Sequence, residues 1–198
     1  MASIIESLSG QLLGGQLQSL SAALGEDPQK TRNAVSQALP ILMGALAHNA
    51  SSPDGANSLL GALERDHDGS LLDNLQSFMK RPDLEDGNGI LRHTLGGRRD
   101  RFETGLSKSS GIDPQKAKTL MAMLAPVVMA ALGRARKERN IDQSGLMGLL
   151  KGERETMERQ APELGLLGSL LDQDGDGQIL DDVLGKVGKG LLGGLFKG

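Results

Sequence analysis

The chain has 198 residues, 38% hydrophobic and 24% charged, which suits one compact domain or two small ones with enough apolar mass for a core. Only 2% is aromatic, with three Phe and no Trp or Tyr, so the stacking platforms used to bind single-stranded nucleic acid or sugars are missing; at a net charge of -3 there is also no global basic field for a polyanion. Zero Cys excludes disulfides, thiolate nucleophiles and Cys-ligated zinc.

The first residues, Met1 to Glu6, lack the basic region, apolar run and cleavage site of a signal peptide. No uninterrupted apolar stretch approaches the roughly 20 residues needed to span a bilayer. The expectation is a soluble, cytoplasmic protein. Ile4, Ile5, Leu8, Leu12 and Leu13 then recur at helical spacing. Asp27 offers an N-cap with Pro28 in the first turn, and the helix it starts carries Val35, Leu39, Leu42 and Leu46.

The same design returns further along. Gly25-Glu26-Asp27-Pro28-Gln29-Lys30 matches Gly111-Ile112-Asp113-Pro114-Gln115-Lys116, and the same spacing pairs Pro40 with Pro126, Met43 with Met129 and Leu46 with Leu132. In the second copy Asp113 is the cap, and Leu120, Met123, Leu124, Val127, Val128 and Leu132 form the apolar face. Pro40 and Pro126 sit inside these patterns, where a proline removes one backbone donor, so each predicts a kink or a break into two helices. Connections are expected at residues 50–57, 81–89 and 136–144. No period-two alternation occurs, so the fold class is all-α: multihelical, with two pseudo-repeated halves. The expected units are residues 1–85, residues 86–171, and an acidic loop with a Gly-rich tail at 172–198. The 28 Gly read as helix punctuation and small packing contacts; an interior Gly costs about 1 kcal/mol against Ala, so the helices should be short or held by tertiary contacts.

The sharpest chemical motif is Asp172-Gln173-Asp174-Gly175-Asp176-Gly177-Gln178-Ile179-Leu180-Asp181-Asp182. Carboxylates at the first, third and fifth positions wrap oxygen ligands around a hard cation, and Gly at the sixth permits the sharp turn. Asp172, Asp174, Asp176, the carbonyl of Gln178 and Asp182 are the candidate calcium ligands. Position twelve, where an EF-hand loop places a bidentate Glu, is Val183, so the loop would close early on Asp182 or Asp181. The plain alternative is an acidic turn before a helix. An earlier segment, Glu64-Arg65-Asp66-His67-Asp68-Gly69-Ser70-Leu71-Leu72-Asp73-Asn74, keeps the frame with Glu in first place, is made more basic by Arg65 and His67, and reads as a decayed twin.

Other candidates have plainer readings. The three His, His48, His67 and His93, include no pair at helical ligand spacing, and His93 is expected to cap or pack. Leu95-Gly96-Gly97-Arg98 lacks the strand that phosphate-binding glycine motifs follow. Two basic runs, Arg92, Arg98, Arg99 and Arg101, then Arg134, Arg136, Lys137 and Arg139, read as solvated helix faces rather than as a surface for phosphate or an acidic partner. In the tail, Leu184, Val187, Leu191, Leu192, Leu195 and Phe196 share a stripe, with Lys186, Lys189 and Lys197 elsewhere. Such a segment docks on its own core, lies on a membrane surface, or pairs with a second helix.

At Asp86-Gly87-Asn88-Gly89-Ile90-Leu91-Arg92-His93-Thr94-Leu95-Gly96-Gly97, followed by Met123-Leu124-Ala125-Pro126-Val127-Val128-Met129 and the acidic loop, the chain resembles the YidB-like family of bacterial proteins of unknown function (domain of unknown function 937). That resemblance implies a multihelical α fold and carries no activity or catalytic residues. The acidic loop resembles calcium-binding loops of EF-hand or dockerin type. The function expected is a noncatalytic helical binding or scaffold protein, not an enzyme, with a C-terminal EF-hand-like loop that binds calcium. The alternative is a membrane-surface or self-assembling protein acting through residues 184–198. Partners would then be another protein, a second copy or a membrane surface, and no nucleic acid.

Overall fold

Two Asp-Pro steps start the two longest helices, α3 (Pro28–Asn49) and α8 (Pro114–Arg139). Asp27 Oδ1 accepts from the amides of Gln29 at 2.8 Å and Lys30 at 3.1 Å; Asp113 Oδ1 accepts from those of Gln115 at 2.8 Å and Lys116 at 3.4 Å. Proline follows each cap at a position whose N–H has no helical partner in any case. Each helix is preceded by a glycine in the left-handed region, Gly25 at φ 59° and Gly111 at φ 74°, which closes the helix before it.

The structure, a computed structural model, describes residues 3–160, and among them every regular element is helical. α1 (Ile4–Gln11) and α2 (Leu17–Leu24) join through a π-helical turn at Leu12–Gln16. After α3 come α4 (Pro53–Arg65), a 3-10 turn at Ser70–Asn74, α5 (Leu75–Lys80), α6 (Leu84–Leu95), α7 (Arg99–Ser110), α8 and α9 (Gln143–Gln160). The all-α expectation holds for these residues. The connections are shorter than expected: Ser52, Asp83 and Asp142 accept hydrogen bonds from backbone amides at the starts of α4, α6 and α9, so helix begins inside each stretch read as loop.

α8 is the central element. Every residue from Leu120 to Gly133 is buried, because α3, α6 and α7 pack around it and α1, α4 and the 3-10 turn at Ser70–Asn74 complete the cover. Its most apolar window is long and hydrophobic enough to cross a membrane by length and composition, yet 83% of that window is buried inside the protein. The predicted apolar faces of α3 (Val35, Leu39, Leu42, Leu46) and α8 are buried in one cluster with Ile4, Leu8 and Leu12 of the N-terminal segment.

The prolines do not break their helices: α3 and α8 run through Pro40 and Pro126 without interruption. A proline at position 126 leaves the carbonyl of Ala122 without its usual helical donor. At that carbonyl the backbone of α6 comes close, since a Cβ on Gly87 would lie 1.8 Å from Ala122 O.

Candidate functional site

The earlier acidic segment, Glu64 to Asn74, runs from the last turn of α4 through the 3-10 turn at Ser70–Asn74 and lies on the C-terminal half of α8. Asp68 Oδ1 accepts from the Ser70 amide at 3.0 Å, and Gly69 takes φ 100°. Gly69 is sixth in the frame counted from Glu64, so the residue that calcium loops use for their sharp turn is here in a conformation other side chains resist. The turn lies on α8 backbone to backbone: a Cβ on Gly133 would stand 1.7 Å from His67 O, and one on Gly69 would stand 2.7 Å from Arg134 Cβ.

The carboxylates of this turn have counter-ions from within the chain. Arg134 Nη2 donates to Asp73 Oδ1 at 2.5 Å and to the Gly69 carbonyl at 2.8 Å; Arg136 pairs with Glu64, and Lys137 Nζ lies 3.6 Å from Asp68 Oδ2. The hydrogen bond from the Ser70 amide, with help from Lys137, holds the Asp68 carboxyl below the usual aspartate range. The second basic run is therefore only partly a solvated face, because three of its members neutralise a turn more than 60 residues earlier. Sequence spacing carries no sign of that pairing. Between α4 and the α8–α9 connection lies an open cavity of about 340 Å³, lined by Leu60, Glu64, Arg136, Lys137, Asn140, Ile141 and Asp142.

Beneath the turn, the buried His67 places Nε2 3.9 Å from Asp86 Oδ1 at the start of α6. Burial, reinforced by the charges of Asp83 and Asp66, raises the Asp86 carboxyl above its ordinary value against the opposing pull of His67. His93, expected to cap or pack, stands with its side chain exposed in the last turn of α6, and its backbone carbonyl accepts from Asn49 Nδ2 at 3.2 Å. In the first basic run, Arg99 Nε donates to Glu103 Oε1 at 2.5 Å and Arg99 Nη2 to Asn88 Oδ1 at 2.5 Å. Among the described residues no three or more His, Asp or Glu side chains converge as a metal-holding group. Asp172, Asp174, Asp176, Gln178 and Asp182, the rest of that loop and the tail at 184–198 lie outside the described residues.

Sequence reading missed two buried carboxylates. Glu103 is 1% exposed, held by Arg99 with Lys118 Nζ at 3.9 Å. Glu153 of α9 is 6% exposed and accepts from the amides of Ile4 at 2.9 Å and Ile5 at 3.3 Å, so it closes the open end of α1. The signal was present in α9, where Leu146, Leu150 and Glu153 follow one another at helical spacing on a single stripe.

A family model described as a bacterial protein of unknown function (DUF937) matches residues 6–135. No curated protein and no solved structure matches the chain.

Proposed function

The chain belongs to the DUF937 family of bacterial proteins of unknown function, and from that premise we propose that it is a noncatalytic, cytoplasmic helical scaffold whose C-terminal loop binds calcium. The observation that carries this reading is the backbone of the twin turn, where Gly69, sixth in the frame, takes φ 100°. Gly177 occupies the same place in the later loop. The differences between the two loops favour a metal ion in the second: Arg65 and His67 are replaced by Gln173 and Gly175, and Glu64 by Asp172. The first loop meets its carboxylates with Arg134, Arg136 and Lys137, whereas the second carries five Asp and no basic residue within its frame. A hard divalent cation is the counter-ion that such a set selects, through Asp172, Asp174, Asp176, the Gln178 carbonyl and Asp182. Duplication of the two halves belongs to the same reading. It is supported by the like geometry of Gly25 and Asp27 on one side and Gly111 and Asp113 on the other.

The test is a calorimetric calcium titration of the chelator-stripped chain at two temperatures, with concentration taken from peptide-bond absorbance. Saturable binding is expected, abolished by Asp174→Ala and retained by Asp68→Ala. Absence of heat at both temperatures, or loss of binding with Asp68→Ala alone, overturns the assignment. Flotation with anionic liposomes then addresses the alternative. Calcium-independent flotation that requires residues 184–198 would favour the membrane-surface reading supported by the stripe of Leu184, Val187, Leu191 and Leu195.

A further inference from the structure

We propose that α9 is an exchangeable element, which two copies of the chain trade to form a dimer. α9 lies wholly outside the family match, which ends at residue 135, yet it fills a place in the core. Gln143 Nε2 donates to the Pro53 carbonyl at 2.8 Å, Leu146 and Leu150 are buried, and Glu153 accepts from the Ile4 and Ile5 amides. The groove that receives α9 is thus built from α3 and α4, with α1 supplying the two amides that Glu153 accepts from, all far upstream in the chain, and only the connection between Arg139 and Gln143 decides which copy's α9 enters it.

That connection is short and sits at the one non-glycine residue with positive φ among the described residues, Asn140 at φ 52°. The Asn140 and Ile141 amides both reach back to the Arg136 carbonyl, and Asp142 caps α9 through the Gly145 amide, so the reversal is a helix stop followed at once by a helix start. If residues 140–142 become helical, α8 and α9 form one rod and α9 leaves its own groove. A second copy in the same state rebuilds the contacts that α9 makes with α3 and α4, the carboxylate cap on α1 included. The two states then differ only in hinge conformation and in the entropy of association. The open cavity beside Asn140 and Ile141 leaves the hinge free of tight packing on that side. This inference is independent of calcium.

The experiment is light scattering with amide hydrogen exchange on the full chain and three hinge variants. Deletion of Asn140 and Ile141 makes the reversal too short. A fully dimeric chain is expected, with Ile4, Ile5 and α9 as protected as in the unaltered chain. Asn140→Ala, which disfavours the left-handed conformation, should tighten dimerisation by about tenfold or more, and Asn140→Gly should weaken it. Three results would each overturn the proposal: a deletion variant that stays monomeric, one that loses protection at Ile4 and Ile5, or a dimer insensitive to all three changes. The last would place association in another surface such as residues 184–198.

Discussion

Gly133 and Gly61 are both helical glycines, and their surroundings give them opposite predicted responses to a methyl group. A Cβ on Gly133 would meet the His67 carbonyl at 1.7 Å, whereas one on Gly61 meets nothing within 4 Å. Gly133→Ala must lift the 66–70 turn from α8, an overpacking that costs about 1–3 kcal/mol. Gly61→Ala lowers backbone entropy in the unfolded chain and should stabilise by about 0.5–1 kcal/mol. Urea midpoints moving in opposite directions are the expected result. Two aspartates are similarly opposed in pH. Asp68 releases its proton more readily in the folded state, chiefly because of the Ser70 amide, so its contribution is present above the ordinary aspartate range and lost as pH falls through its lowered value. Burial raises Asp86, so its contribution is present below the ordinary range and lost as pH rises through the raised value. Asp68→Asn should flatten the acid limb of a stability–pH profile. Asp86→Asn should be more favourable, relative to the native chain, at pH 7 than at pH 3.

At the scale of elements, helix ends explain more of the architecture than helix propensity does. Asp27, Ser52, Asp83, Asp113 and Asp142 each satisfy amides at a helix start, which lets short connections follow one another without orphaned donors. α1 is capped from both near and far: Ser3 Oγ accepts from the Glu6 amide, and Glu153 reaches Ile4 and Ile5 from the opposite end of the described chain. Glu153→Ala leaves two amides at a buried junction without an acceptor, a loss of about 1–3 kcal/mol. The expected signature is faster exchange at Ile4 and Ile5 while the α3 amides stay protected. Uniform acceleration across all helices would instead mean that α9 contributes only to global stability.

For the whole molecule, the buried residues of the first 85 positions and those that follow belong to a single cluster, in which Leu39 and Leu42 of α3 join Leu120, Leu124 and Val127 of α8. The division between residues 85 and 86 falls within the first turn of α6. A shared core predicts one cooperative transition, with calorimetric and van't Hoff enthalpies in agreement. Leu124→Ala should shift that single transition by about 2–5 kcal/mol without splitting it. Two resolved transitions would mean that the halves fold separately.

The all-α class, the Asp-Pro helix starts at Asp27 and Asp113, the buried faces of α3 and α8 and the membership of the family were legible in the sequence, because caps and helical periodicity are local signals. The bridging of Glu64, Asp68 and Asp73 by Arg136, Lys137 and Arg134, the burial of Glu103 and Glu153, and the close approaches at Gly87 and Gly133 were not. Each depends on which helix lies beside which, and side-chain spacing along one helix does not encode its neighbour. Unbroken passage through Pro126 was likewise decided by tertiary structure, since the packing that buries α8 from Leu120 to Gly133 outweighs one missing backbone hydrogen bond.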